Sequence, residues 1–131
     1  MLIDVPSSIP EDRALTPDER DLLRWLLAHS DAQGSRFTAQ IDRARVSSRC
    51  GCGCASVEFG IDGRVPERSA GLVQISPDYY WNGPGGGLCA VFVYAQEDQL
   101  AGLETWSVDG METPSCLPRI EELRGSAPSP A

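Results

Sequence analysis

The sequence contains no lysine: all eleven of its basic residues are arginine, and it has one histidine. It has no run of about 18 or more apolar residues, so no transmembrane helix is predicted. The N-terminus has no basic start followed by an apolar stretch, which argues against a secretory signal. No nucleophile elbow, Walker loop or dinucleotide fingerprint occurs. These absences favour a cytoplasmic protein that is not an enzyme.

Acidic residues are concentrated in the second part of the chain. Residues 50–131 hold eleven acidic residues against four arginines, whereas residues 1–49 hold eight against seven, and the net charge is −8. A surface of that sign repels nucleic acid and anionic lipid, and it attracts a basic protein. We therefore expect no binding to nucleic acid or membrane. An acidic surface also serves solubility alone, which is the alternative.

Hydrophobic periodicity predicts one α+β domain over residues 15–124, with two N-terminal helices packed on an antiparallel meander of about four strands. The first helix is expected to begin at Thr16 with a capping box that includes Glu19, and Gly34 is its candidate stop. The second helix is expected within residues 35–46, where Phe37, Ile41 and Ala44 share a face.

Alternating apolar residues predict strands in the segments 55–63, 71–76, 88–95 and 100–110. The segment 88–95 is apolar on both faces, as in a central strand, and the sequence QEDQ after it predicts a turn. Residues 1–14 are predicted to be a loose N-terminal segment, and residues 125–131 a disordered tail, because both are rich in proline and serine.

The segment SSRCGCGCASV places three of the five cysteines at alternate positions: Cys50, Cys52 and Cys54. On an extended strand their side chains would lie about 7 Å apart along one face. One zinc ion with bonds of about 2.3 Å could not bind all three unless the backbone bent. Gly51 and Gly53 would permit such a bend. The candidates for a fourth ligand are Cys89, Cys116 and His29.

Two other interpretations of this segment remain open. Redox chemistry is disfavoured because the C-x-x-C spacing is missing. Free cysteine behaves as a small apolar residue, and a bulge at the glycines would turn these side chains towards the core. We favour packing, and so predict no cofactor. Zinc is the alternative, with the ligands Cys50, Cys52, Cys54 and Cys89.

The segment SPDYYWNGPGGG at residues 76–87 is predicted to be a recognition loop. Tyrosine and tryptophan are the residues that most often anchor protein interfaces. The alternative is that one or two of the rings cover the edge of the sheet. The glycine run precedes a strand rather than opening a helix, so it is a poor phosphate cradle. The predicted partner-binding residues are Tyr79, Tyr80, Trp81, Glu97 and Asp98.

The segments RCGCGCASVEF and LAGLETWSVDGMETPSCLP together resemble parts of a family of small, uncharacterised bacterial proteins. The resemblance covers about half of the chain. It implies a compact bacterial domain and brings no activity and no functional residue with it.

These observations together predict a non-catalytic binding domain that presents an acidic, aromatic surface to a basic protein partner. One form of this hypothesis is an immunity or antitoxin-like protein that blocks a basic toxin. The alternative is a thiol-based metal-binding or redox protein that uses the cysteine segment.

Overall fold

The computed structural model describes residues 8–67 and 70–125 of the chain. They form one seven-stranded antiparallel sheet in the order β1-β2-β3-β7-β6-β4, in which β5 also pairs with β6. The strands are Ser8–Ala14 (β1), Ala44–Cys50 (β2), Val57–Ile61 (β3), Val73–Gln74 (β4), Tyr79–Asn82 (β5), Leu88–Gln96 (β6) and Gln99–Ser107 (β7).

The helices are few and short. Pro17–Ala28 (α1) and Ala32–Ser35 (α2) are α-helical, and Thr38–Arg43 and Ile120–Glu122 are 3₁₀ helices. None of the described helices is long and apolar enough to cross a membrane. The α+β class is confirmed, but the expectation of two helices on a four-stranded meander is wrong, because the sheet dominates the fold.

Helix α1 begins with the capping box predicted from the sequence. Thr16 Oγ1 accepts a hydrogen bond from the Glu19 N–H at 3.1 Å, and Glu19 Oε1 accepts one from the Thr16 N–H at 2.8 Å. Arg13 of β1 donates two more to the same carboxylate, at 2.9 and 3.0 Å. Burial alone would raise the pKa of Glu19, but these donors outweigh it and hold the pKa below its ordinary value.

The predicted second helix is replaced by three shorter pieces. Residues 35–46 contain the end of α2, a 3₁₀ helix and the start of β2. Phe37, Ile41 and Ala44 are buried as expected, although not as one α-helical face. Gly34 does not end α1. It lies inside α2, where a Cβ atom would sit 2.1 Å from the Ile75 carbonyl oxygen, so only glycine permits this close approach.

The N-terminal segment is partly ordered. Residues 8–14, predicted to be loose, form β1 and pair with β2 along the edge of the sheet. The sequence PEDRA shows no alternating apolar pattern, which is why it was not recognised as a strand. Residues 1–7 and 126–131, which the loose segment and the disordered tail also included, lie outside the described residues.

Strands β3, β6 and β7 lie where the apolar patterns predicted them, whereas the strand expected over 71–76 is only two residues long. The core is formed by α1 and one face of the sheet. Its fully buried side chains include Leu22, Leu23, Leu26, Leu27, Phe37, Ile41, Val46, Phe59, Val91, Val93, Leu100 and Leu103. Glu97 and Asp98 form the two-residue turn between β6 and β7, both with positive φ, as expected for a tight hairpin.

We expect Glu19→Gln to lower the free energy of unfolding by about 1–2 kcal/mol at neutral pH, because it removes the carboxylate that Arg13 and Thr16 bind. The folded-state pKa of Glu19 lies below its ordinary value of 4.5. The stability contributed by the Glu19 carboxylate is therefore fully present above pH 4.5 and is lost as the pH falls through the folded-state pKa. Urea unfolding at several pH values measures it.

Asp18→Asn is the matched control, since Asp18 is in the same helical turn but exposed. If Glu19→Gln and Asp18→Asn lowered the free energy of unfolding equally, the general helix-dipole effect, and not the buried carboxylate, would stabilise this end of α1.

Candidate thiol site

The cysteine segment forms the loop that connects β2 to β3. Strand β2 ends at Cys50, whose N–H donates a hydrogen bond to the Ser56 carbonyl at 3.2 Å and so closes the loop. The Ala55 N–H donates to the Pro114 carbonyl at 2.9 Å, which ties the loop to the C-terminal segment. Gly53 has φ of +91°, a conformation that residues with side chains rarely adopt. The chain therefore bends within the segment.

The bend brings three sulfur atoms together, and we call Cys50, Cys52 and Cys54 the thiol cluster. Their Sγ atoms all lie within 4.8 Å of one another. Cys50 Sγ is 2.9 Å from Cys52 Sγ, and the Cys54 N–H donates to Cys52 Sγ at 3.4 Å. Sulfur ligands of one tetrahedral zinc ion are about 3.8 Å apart, given bonds of about 2.3 Å. The cluster thus needs only small movements to bind one metal ion.

The packing interpretation of these cysteines is wrong. Cys52 is exposed, while Cys50 and Cys54 are half-buried. The register shift in β2 lies between Val46 and Ser48, not at the glycines, so no bulge turns the cysteines towards the core.

Hydrogen bonds within the cluster shift the pKa values of Cys50 and Cys52 in opposite directions. The bond with Cys52, together with burial, raises the pKa of Cys50 to about 12. The Cys50 thiol and the Cys54 N–H lower the pKa of Cys52. The negative charge of the cluster therefore resides first on Cys52, the most exposed of its sulfur atoms.

The candidate fourth ligands are not part of the cluster. Cys89 is buried in β6, its thiol donates to the Gly87 carbonyl at 3.7 Å, and burial raises its pKa. Cys116 is exposed. The His29 ring stacks on Trp25 with 3.9 Å between centroids. Within residues 8–67 and 70–125, no histidine, aspartate, glutamate or further cysteine has a ligand atom within 4.8 Å of all three sulfurs. Cys89, which the zinc alternative included, is therefore not part of the thiol cluster.

An acidic cleft adjoins Cys50, and sequence reasoning missed it. Its volume is about 210 Å³, and Ser48 Oγ donates to one of its carboxylates, Glu58, at 2.7 Å. Burial, and then the proximity of Glu58, raise the pKa of Glu104. Only the alternation of Glu58 with apolar neighbours was visible in the sequence. The cleft is lined by Cys50, Ser56, Val57, Glu58, Tyr94 and Glu104.

The three aromatic residues of the predicted recognition loop lie in strand β5. Trp81 is a core residue, 3% exposed. The Tyr79 ring packs edge-on against Trp25, with 4.9 Å between centroids, while Tyr80 is half-buried and its backbone pairs with Arg124. Because Trp81 is buried, the alternative predicted from the sequence, in which rings cover the sheet, describes this segment better than a recognition loop.

Glu97 and Asp98 lie far from the aromatic residues. Trp81 pairs with Cys89 at the start of β6, whereas the two acids follow the last residue of that strand, so about 25 Å of strand separates them from Trp81. Asp98 forms an ion pair with Arg36, which lowers its pKa, and Glu97 lies 3.3 Å from Arg64. The five predicted partner-binding residues do not form one site.

The glycine run in residues 83–87 holds a carboxylate of the protein itself. Glu112 accepts hydrogen bonds from the Gly85 N–H at 3.3 Å and the Gly87 N–H at 2.6 Å. A Cβ atom at Gly87 would lie 2.9 Å from the Glu112 side chain. The run is therefore explained by close approach to Glu112 and not by phosphate binding.

Neither a family model, nor a curated protein, nor a solved structure matches this chain. The resemblance to small bacterial proteins stays a prediction. What the protein does is inferred below from the thiol cluster and its surroundings.

We expect an alkylating reagent at about neutral pH to modify Cys52 before the other cysteines, because the thiolate is the reactive form. Cys50→Ala should slow this reaction, since it removes the thiol donor that lowers the pKa of Cys52. Peptide mapping after short exposures measures the rates, with the exposed Cys116 as the internal reference. If Cys116 reacted first in the unmodified protein, the hydrogen bonds assigned to Cys52 would not operate in solution.

Proposed function

We propose that this protein binds a thiophilic metal ion through Cys50, Cys52 and Cys54, with Zn²⁺ as the reference ion. The observation that carries the proposal is the convergence of three sulfur atoms within 4.8 Å on one loop. Thiolate ligands select soft and borderline ions such as Cu(I) and Zn²⁺ over Mg²⁺ and Ca²⁺. The donor set therefore fits a thiophilic ion and not a hard one.

The hydrogen bonds within the thiol cluster indicate which cysteine would bind a metal ion first. Cys52, whose pKa is lowered, offers the first thiolate, and it is also the most accessible. Cys50 and Cys54 would hold the same ion as thiolates, because a thiol binds a metal only after deprotonation. Two or more protons are released, so the affinity depends steeply on pH.

Three protein sulfurs leave one position of a tetrahedral ion for another ligand. Closed four-ligand sites are typical of structural zinc, whereas sites with three protein ligands keep an open position. The loop is at the surface, and Cys52 is exposed. This arrangement supports a site that takes up and releases its ion, rather than one that holds the fold together.

The predicted binding of a basic protein partner stays a prediction, as does the cytoplasmic location. Trp81 lies in the core, and Glu97 and Asp98 form ion pairs with arginines of the same chain. These positions give that hypothesis less support than the thiol cluster gives to metal binding.

We expect one Zn²⁺ ion per chain in a titration against a chromophoric chelator. Replacing any one of Cys50, Cys52 and Cys54 by serine should lower the affinity by more than the roughly 10- to 100-fold typical of a lost outer-shell partner. The affinity of the unmodified protein should rise from about pH 6 to about pH 8, because the thiols must lose protons.

Cys116→Ser is the matched control, because Cys116 is exposed and outside the cluster. Native mass spectrometry gives the stoichiometry. A bare mass after incubation of the reduced protein with zinc would refute the proposal, and an equal loss in Cys116→Ser would place the site elsewhere.

A further inference from the structure

Two members of the thiol cluster are already in contact. Cys50 Sγ and Cys52 Sγ are 2.9 Å apart. Cys52 is exposed, whereas Cys50 is half-buried behind it. An accessible cysteine beside a second, resolving cysteine is the arrangement found in cysteines that respond reversibly to peroxide.

We propose that Cys50 and Cys52 form a peroxide-sensitive pair, in which Cys52 reacts with a hydroperoxide and Cys50 closes a disulfide. Oxidation would thereby control the metal site, and this second part rests on the proposed function. The first part concerns the thiols alone and stands without the metal.

The geometry gives the two cysteines different roles. Cys52 Sγ accepts a hydrogen bond from the Cys54 N–H at 3.4 Å and lies 2.9 Å from Cys50 Sγ. Its exposure lets a small peroxide reach it. Cys50 Sγ, 2.9 Å away, is positioned to attack once Cys52 is oxidised.

The chemistry balances in two steps. The Cys52 thiolate attacks the terminal oxygen of the hydroperoxide and the O–O bond breaks, which leaves a sulfenic acid on Cys52. The departing alkoxide or hydroxide takes a proton from solvent and becomes an alcohol or water. The Cys50 sulfur then attacks the Cys52 sulfur, the S–O bond breaks, and water leaves with the proton of Cys50. The cysteine pair loses two electrons, and the peroxide gains them.

Such a disulfide would remove two of the three sulfur ligands. Cys54 would be left alone, and one thiolate does not hold a zinc ion against solvent. Peroxide would therefore release the metal, and reduction by a thiol would restore the site.

The test treats the full metal-free chain with a small excess of hydrogen peroxide and maps the products by mass spectrometry. We expect a mass loss of about 2 Da and a peptide that links Cys50 to Cys52. In Cys50→Ser, the sulfenic acid on Cys52 should persist and be trapped by a 1,3-dione reagent. In Cys52→Ser, oxidation should slow to the rate of the exposed Cys116.

A link between Cys52 and Cys54 as the first product, or oxidation of Cys116 as fast as that of Cys52, would overturn the proposal. Circular dichroism checks that the serine variants keep the fold, which we expect because the loop contributes no side chain to the core cluster.

The zinc-loaded protein separates this inference from the proposed function. One zinc ion released per Cys50–Cys52 disulfide supports both. A protein that forms the disulfide but never binds zinc would refute the metal function and leave the peroxide-sensitive pair standing. A protein that binds zinc but yields no such disulfide would refute the pair alone.

Discussion

The pairing of β6 with β7 is the constraint on which the rest of the sheet depends. Their register runs from Cys89 opposite Ser107 to Gln96 opposite Gln99, and a two-residue turn closes it. The remaining strands extend from this hairpin, β3 beside β7 and β4 and β5 beside β6. A slip by one residue would turn the buried set of β6 away from α1, so the burial of that face fixes the register.

The thiol cluster lies in the loop between β2 and β3 of this sheet, and its chemistry depends on the charges of its thiols. Three thiolates within 4.8 Å repel one another, and Glu58 and Glu104 line the cleft beside Cys50. Cys50 keeps its proton, because the hydrogen bond with Cys52 and burial raise its pKa to about 12. A metal ion or a disulfide each relieves the repulsion, which is why one loop suits both chemistries.

Much of the candidate site was visible in the sequence as a set of residues, but its geometry was not. The spacing of the cysteines and the freedom of the glycines raised the metal hypothesis, while strand-like spacing argued against it. Whether the three sulfur atoms converge depends on where strand β2 ends. The end of β2 is set by its pairing with β1 and β3, which no local pattern encodes. Cys89 is a candidate metal ligand in the sequence only because it is a cysteine. Its position in β6 buries it.

The sequence by itself determined the α+β class, the capping box of α1 and the apolar strands β3, β6 and β7, because each depends on residues close together in the chain. Tertiary structure alone decided that residues 8–14 form an edge strand and that Trp81 enters the core. It also decided that Gln40 Oε1 accepts a hydrogen bond from the Leu100 N–H at 2.7 Å. These features depend on partners distant in the sequence. Their energies come from contacts that a local pattern does not contain, and for the same reason only the folded chain brings the three sulfurs together.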